Sequence, residues 1–266
     1  MKHMAGAIAL AVLVVFCGIG SGEPLLDQTP DTVFLAHFDQ GLDADFALGK
    51  KEALLVKNAR LAGEGKGITG NCLSIGPSGS LVFSAADGNV PVNEGTIELW
   101  VKTDVWESSA DTTPATDGQR YHRMFHITGK PWGSMCALYD DYWDLFNARV
   151  SPVTSGAKEI ALGYAAPLKK GEWKYVAVTW KNFNGEKARQ EVAFYVNGVL
   201  QQSLSGLTVD FATDGNSNLC IGCAPDDPNS SWNGYVDEVR IQKICLNMGK
   251  LYVTYKKGLA ILTGQK

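Results

Sequence analysis

Residues 191–200 show the clearest pattern of apolar and polar positions in the chain. Val192, Phe194 and Val196 fall on every second position, and a period of two is typical of a half-buried β-strand. Asn197 and Gly198 follow, and this dipeptide favours the positive φ angles of a tight hairpin turn. The pattern therefore predicts a β-hairpin.

Two other segments alternate in the same way. They are residues 172–180, where Val176, Val178 and Trp180 share a face, and residues 95–102, where Ile97, Leu99 and Val101 do. Turn residues recur at roughly regular intervals, and no amphipathic helix longer than two turns stands out. This rhythm predicts an all-β sandwich. The sequence does not decide the secondary structure of the last 20 residues, because residues 251–255 fit either a closing strand or part of a short helix.

The first 22 residues predict a secretory signal peptide. Lys2 precedes an apolar run at residues 5–16, and Gly20 and Gly22 suit cleavage before residue 23. No stretch reaches the roughly 20 apolar residues of a membrane-spanning helix. We therefore expect a secreted or periplasmic (cell-envelope) protein with no membrane span in the mature chain, which begins with a polar lead-in at residues 23–32.

The charge and the cysteine content of the chain restrict its possible binding partners. The formal net charge of the 266 residues is −4, and the absence of a basic stripe argues against nucleic acid. Five cysteines follow residue 22, and an odd number leaves at least one thiol free or paired with another chain. Cys220 and Cys223 form a C-x-x-C motif. In an extended strand their Cα atoms would lie about 10 Å apart, beyond disulfide reach unless the chain turns there.

Six short motifs occur along the chain in a recognisable order. They are Leu35–Asp39, Gly70–Ile75, Gly95–Lys102, Glu172–Trp180 with Phe194–Val199, Leu219–Gly222 and Asn233–Ile241. In this order they resemble the laminin-G-like jelly roll of the concanavalin A-like lectin/glucanase superfamily. The resemblance implies a two-sheet antiparallel jelly-roll sandwich, which we assign to residues 33–250. Residues 251–266 remain a C-terminal strand or tail.

The carboxylate pattern argues against a glycanase of this superfold. Such enzymes carry a motif of the kind Glu-x-Asp-x-x-Glu, which places the acid and the nucleophile on one strand face about 5–5.5 Å apart. The sequence contains no such motif, and Asp237 and Glu238 are adjacent, so they would face opposite ways in a regular strand. We therefore expect a protein that is not an enzyme, with a glycan-active enzyme of unfamiliar site as a third alternative.

Asp237 is the most informative single carboxylate. In a regular strand it shares a face with Tyr235, Val239 and Ile241. A carboxylate on an apolar face must be paired, hydrogen-bonded or bound to a metal. One interpretation is that Asp237 accepts backbone N–H bonds and fixes a corner of the fold.

The other interpretation of Asp237 is a structural Ca²⁺ site. The resemblance implies a calcium ion near one rim in many relatives, and calcium takes hard oxygen ligands. Asp39, at the end of the first motif, is then the matching ligand, with Asp43 and Asn233 as further contributors.

Residues 139–144 combine aromatic and acidic side chains in a predicted loop. Sugars stack their apolar faces on aromatic rings, while carboxylates accept hydrogen bonds from hydroxyl groups. The cluster predicts a ligand-binding site at Tyr139, Asp141, Tyr142 and Trp143. Trp106, Trp132 and Trp232 lie in other predicted loops and are further candidates. The alternative is that Tyr142 and Trp143 cover one end of the core.

These observations favour an exported, non-catalytic recognition module whose partner is carbohydrate. The alternative partner is an extracellular protein, with the chain acting as an adhesion or envelope scaffold domain, and the odd cysteine suggests this reading.

Overall fold

The computed structural model describes residues 23–108, 117–129, 133–152, 158–224 and 227–264. The predicted signal peptide at residues 1–22 and Trp132 lie outside these ranges. The described strands are β1 (Thr32–Ala36), β2 (Phe46–Ala47), β3 (Leu55–Leu61), β4 (Leu73–Ser84), β5 (Gly95–Lys102), β6 (Tyr121–Thr128), β7 (Ser134–Asp140), β8 (Leu145–Ser151), β9 (Ile160–Ala165), β10 (Lys174–Lys181), β11 (Glu191–Val196), β12 (Val199–Ser205), β13 (Asn218–Ile221) and β14 (Gly234–Gln242). The helices are the 3₁₀ turns Asp141–Trp143, Lys187–Arg189 and Pro228–Ser230, and α1 (Met248–Thr263).

The strands form two antiparallel layers. The first has the order β12-β11-β10-β5-β14, with β1 beside β14 and β2 beside β1. The second has the order β13-β6-β7-β8-β9, with β4 beside β13 and β3 beside β4. Residues 73–75 of β4 pair with β14 and residues 81–84 pair with β13, so this long strand joins the layers. The predicted all-β antiparallel sandwich is confirmed.

The side chains that alternate in the sequence fill the core between the layers. The buried set contains Ile97, Leu99 and Val101 of β5, Val176, Val178 and Trp180 of β10, and Val192, Phe194 and Val196 of β11. Asn197 and Gly198 connect β11 to β12 with φ angles of 53° and 72°, which confirms the predicted hairpin.

Helix α1 covers the outer face of the first layer. Trp100 and Tyr175 point out of that layer and pack against Leu251 and Tyr255 of the helix, and the Trp100 and Tyr255 rings stack with centroids 5.9 Å apart. Residues 251–255, for which the sequence allows either a strand or a helix, belong to helix α1. Within the described residues, no helix combines the length and hydrophobicity that a membrane crossing requires.

The sequence hides α1 because its buried side is small. Only Leu251 and Gly258 are buried along its 16 residues, so no continuous apolar stripe marks the helix. Its ends carry ordinary signals: the Asn247 side chain accepts a hydrogen bond from the backbone N–H of Lys250, and Gly264 adopts the left-handed conformation.

A bulge in β14 separates Asp237 from two of its predicted neighbours, Val239 and Ile241. The register with β5 shifts after Asp237, and Glu238 has a φ of 51°. Val239 and Ile241 face the core between the layers, whereas Asp237 lies opposite Trp100 on the outer side. The predicted face that Asp237 shares with Val239 and Ile241 is wrong, because an extra residue reverses the alternation of side chains after Asp237. Tyr235 lies in the regular part of the strand and still shares a face with Asp237.

The Cys220–Cys223 segment turns at its third residue. Strand β13 ends at Ile221, and Gly222 has a φ of 68°. The two cysteine side chains therefore pack together against Val82, and the hydrogen bond between the thiols lowers the pKa of Cys223. The sequence places these two cysteines within reach of each other only if the chain turns between them, and Gly222 provides that turn.

Candidate functional site

The predicted ligand site lies on the connection between β7 and β8. A single 3₁₀ turn, Asp141–Trp143, begins where the Asp140 side chain accepts a hydrogen bond from the backbone N–H of Tyr142. It ends at Asp144, whose φ of 48° is a left-handed conformation that Asp tolerates better than most residues. These two aspartates fix the turn and therefore the direction of its aromatic side chains.

The turn exposes Trp143 and supports it with Tyr142. The Trp143 side chain is 60% exposed, and its ring meets that of Tyr142 edge to face, with centroids 4.8 Å apart and planes at 81°. An exposed indole held at a fixed angle by a second ring is a suitable platform for stacking a flat apolar surface.

Arg120 connects this platform to β6. Its guanidinium lies 4.9 Å from the Tyr142 ring and 4.8 Å from the Tyr121 ring, and its Nε donates to Asp140 at 3.1 Å. The Arg149 guanidinium lies 5.6 Å from the same Tyr121 ring. We call Trp143, Tyr142, Arg120, Tyr121 and Arg149 the aromatic–arginine strip.

The structure separates the four residues of the predicted site. Tyr142 and Trp143 lie at the surface, but Tyr139 and Asp141 are completely buried. The Tyr139 hydroxyl donates to Asp144 and to the carbonyl of Ala166, and burial raises its pKa. Only Tyr142 and Trp143 are thus available to a ligand in this conformation. Strand β7 is buried from Met135 to Asp140, and only the 3₁₀ turn that follows it brings side chains to the surface, so position in the fold rather than residue type decides which of them a ligand can reach.

Two tryptophans from other predicted loops are also interior. Trp106 and Trp232 are buried and meet edge to face at 5.4 Å, and the Trp106 indole N–H donates to the carbonyl groups of Trp232 and Asn233. They organise the core behind β6 and do not join the strip.

The second predicted site lies near the start of β4, and its carboxylates accept hydrogen bonds from backbone N–H groups. The Asp237 carboxylate accepts from the N–H of Ile68 at 2.6 Å and from that of Glu238 at 2.9 Å. Asp39 accepts from the N–H of Asn71 at 2.8 Å. We call Asp39, Asp237 and Glu238 the acidic rim.

Glu238 ties the lead-in to this rim. Its carboxylate accepts from the N–H groups of Leu25 and Leu26 at 2.9 and 3.0 Å, and from the Thr69 hydroxyl. His37 approaches it at 2.9 Å. The sequence predicts only that Glu238 faces the opposite way from Asp237, and it misses this role. A positive φ at a Glu gives no local sequence signal.

The electrostatics of the rim favour a cation. Burial raises the pKa of Asp237 well above its ordinary value, and the neighbouring charges of Glu238 and Asp39 raise it further. Burial also raises the pKa of Asp39. Three carboxylates close together destabilise one another unless a proton or a positive charge is added.

The oxygen atoms around Gly67 indicate how a calcium ion could be bound at the acidic rim. A Cβ atom placed on Gly67 would lie no more than 2.7 Å from three oxygens, the carbonyls of Thr69 and Asn71 and Oδ2 of Asp237. Convergent carbonyl and carboxylate oxygens are the donors that calcium prefers. No group of three or more His, Cys, Asp or Glu side chains suited to a metal occurs in the described ranges, so a cation here would depend on the backbone carbonyls.

Asp43 and Asn233 have other partners. Asp43 accepts from the N–H of Ala53, and the Asn233 amide donates to Asp117. The structure brings Asp39 and Asp237 to the same rim and engages these two further candidates in other contacts.

Comparisons with known proteins support the fold. A family model described as the concanavalin A-like lectin/glucanases superfamily (Laminin_G_3) matches residues 77–250. No curated protein matches the chain.

Solved structures share this fold at low identity. Domain 4 of AbnA, a GH43 extracellular arabinanase from Geobacillus stearothermophilus in complex with arabinotriose, is 16% identical with a TM-score of 0.58, covering 85% of this chain and 99% of the domain. The binding domain of Paraclostridial Mosquitocidal Protein 1 is 11% identical with a TM-score of 0.62. The botulinum neurotoxin serotype D binding domain is 14% identical with a TM-score of 0.58. The match covers 85% of this chain in both cases but only 52% and 51% of the two toxin domains.

Proposed function

Because the chain belongs to the concanavalin A-like lectin/glucanases superfamily, we propose that it is an exported, non-catalytic module that binds carbohydrate through the Tyr142–Trp143 end of the aromatic–arginine strip. The predicted signal peptide supports export. The arabinanase domain, which was solved with arabinotriose, supports a sugar as the ligand class, although the likeness itself concerns the fold.

The exposure of Trp143 is the observation that carries the proposal. A Trp side chain that is 60% exposed leaves a large apolar surface in water, and such a surface is stabilised when a ligand covers it. Tyr142 and Arg120 hold the platform before any ligand arrives, so little side-chain entropy is lost on binding.

The buried carboxylates support a non-catalytic role. Glu98 accepts a hydrogen bond from Tyr175 and pairs with Arg240 at 2.7 Å, deep under α1. Glu238 is likewise fully buried and hydrogen-bonded. Both act as structural acceptors, and neither lies at the aromatic–arginine strip.

A structural calcium ion at the acidic rim is part of the proposal. Asp39, Asp237 and the carbonyls of Thr69 and Asn71 would hold it. A bound divalent cation would supply positive charge to these carboxylates and fix the 62–72 loop against β14.

The test is a glycan array with residues 23–266, run in calcium buffer and after chelation. We expect binding to a defined class of sugar. The Tyr142→Ala, Trp143→Ala double variant should bind more than tenfold more weakly, because central aromatic contacts dominate binding energy. Tyr252→Ala is the matched control, since Tyr252 is an exposed aromatic residue on α1.

Two outcomes would contradict the proposal. Normal binding by the double variant would show that the sugar does not bind at the aromatic–arginine strip. No binding by folded protein in either buffer would favour the adhesion alternative. Cys245, which alone of the five cysteines is not buried, would then be the residue to examine for a link to another chain.

A further inference from the structure

One row of side chains on the outer face of the second layer is unusually basic. His126 of β6, Cys136 of β7 and Arg149 of β8 lie directly opposite one another in register. Their strand neighbours Met135 and Ala137 point into the core, so the row itself points away from it. Arg123 of β6 reaches into the row, and its Nη1 lies 3.1 Å from the Cys136 sulfur.

The arginines of this row lack acidic partners that match them. Arg149 meets Glu159 at 3.7 Å, and that carboxylate is 47% exposed. No carboxylate pairs with Arg123 in the part of the chain that the structure describes. Three buried nitrogens, Nε of Arg123, Nε of Arg149 and Nδ1 of His126, have no hydrogen-bond partner there.

The other groups of the row do not offset the positive charge. Burial raises the pKa of the Cys136 thiol, although Arg123 and Arg149 act in the opposite direction, so the thiol stays protonated. Burial and the charge of Arg123 lower the pKa of His126 to about 4, so the imidazole is neutral near pH 7. Two guanidinium groups thus face one exposed carboxylate.

Partly buried guanidinium groups whose charge is incompletely paired are costly, and an anion of suitable geometry would relieve that cost. The planar guanidinium binds the paired oxygens of a carboxylate or a sulfate through two parallel hydrogen bonds. The protein as a whole carries a net charge of −4, so general attraction does not bring anions to this face. An anion would therefore bind here only through local contacts with the two guanidinium groups.

The row is continuous with the aromatic–arginine strip. Arg149 belongs to both, since its guanidinium lies over the Tyr121 ring, which in turn contacts Arg120 beside Tyr142. Arg120 is not available to an anion in the same way, because Asp140 already binds it.

We infer that the protein recognises acidic glycans: the sugar stacks on Trp143 and Tyr142, and its carboxylate or sulfate group binds between Arg123 and Arg149. This inference rests on the proposed carbohydrate-binding function and names its ligand class.

The experiment measures affinity for matched charged and uncharged glycans. The probes are oligogalacturonate and its methyl ester, in which a methyl group replaces the charge of each carboxylate, and dextran sulfate with dextran. The protein variants are Arg123→Gln and Arg149→Gln, with Arg189→Gln as the control because Arg189 is 74% exposed and pairs with Glu186. Thermal unfolding of each variant verifies its fold.

We expect at least one charged probe to bind tenfold or more tightly than its uncharged partner. Arg123→Gln and Arg149→Gln should remove that preference, and Arg189→Gln should keep it. The probe that binds identifies the anion as a carboxylate or a sulfate ester.

The opposing results are separable. Equal binding of charged and uncharged partners, with loss of binding in the Tyr142→Ala, Trp143→Ala double variant, would overturn the inference and leave the proposed function standing. Equal loss in all three arginine variants would show general electrostatics and overturn the site. Absence of binding to every glycan would overturn both.

Discussion

At the scale of single residues, burial decides the role of each functional candidate. Tyr139 and Trp143 have similar chemistry and lie four positions apart, yet one is fully buried and the other 60% exposed. Asp39 and Asp237 meet at one rim although 198 positions separate them in the chain. The sequence identifies the residue types, and the packing around them selects which type can act.

Asp237 provides a prediction about pH. Its pKa in the folded protein lies well above the ordinary value of 3.8, so the folded state binds more protons than the unfolded state above about pH 4. In chelator, the free energy of unfolding should therefore fall as the pH rises from about 4. Asp237→Asn should flatten this slope, as measured by urea denaturation at several pH values.

The effect of added calcium on stability is the second measurement on Asp237. It should raise the melting temperature of the wild type at pH 7 and have little effect on Asp237→Asn, with magnesium as the control cation. A wild-type protein whose stability ignores both calcium and pH above 4 would leave Asp237 as a corner-fixing acceptor.

At the scale of elements, close approaches determine what the sequence can tolerate. Gly258 is one of the points at which α1 contacts the first layer, and a Cβ there would overlap the buried ring of Trp100. Gly258→Ala should therefore destabilise the protein by about 1–3 kcal/mol, although alanine favours helix by about 1 kcal/mol. Lys257→Ala, on the exposed side, should have little effect in the same denaturation experiment. Equal stability of the two variants would mean that α1 does not pack as described.

The turn at Gly222 leads to a prediction about oxidation. Because Cys220 and Cys223 are in contact, oxidised glutathione should join them, each thiol losing one hydrogen while the glutathione disulfide is reduced to two thiols. Mass spectrometry should show the loss of two hydrogens in a peptide that contains both residues. Cys223→Ser should prevent it and Cys245→Ser should not. Alkylation of both thiols after oxidation would contradict the prediction.

At the scale of the whole molecule, the polar lead-in is part of the folded body. Leu25 and Leu26 are buried, and their N–H groups bind Glu238. A chain that begins at residue 33 loses both leucines, at about 1.5–3 kcal/mol each. Its melting temperature should fall by at least about 6 °C relative to residues 23–266. A chain that begins at residue 25 is the control, because residues 23 and 24 are exposed. Equal melting temperatures would show that the lead-in is dispensable.

The sequence by itself determined the sandwich. The period-two alternation in β5, β10 and β11 and the Asn197-Gly198 turn are local signals, and they specify strands because side chains of a strand alternate between two faces. The Asp and aromatic residues at 139–144 likewise predict a ligand-binding site without specifying its geometry.

Only the tertiary structure decided what depends on distant contacts. The bulge at Glu238, the turn after Cys220, the helix α1 and the row of Arg123 and Arg149 each depend on residues far along the chain. A φ angle or a buried charge is stabilised by the groups packed around it, and these are set by the pairing of strands rather than by neighbours in sequence. That pairing brings Arg149 of β8 beside Tyr121 of β6 and so joins the basic row to the exposed tryptophan surface.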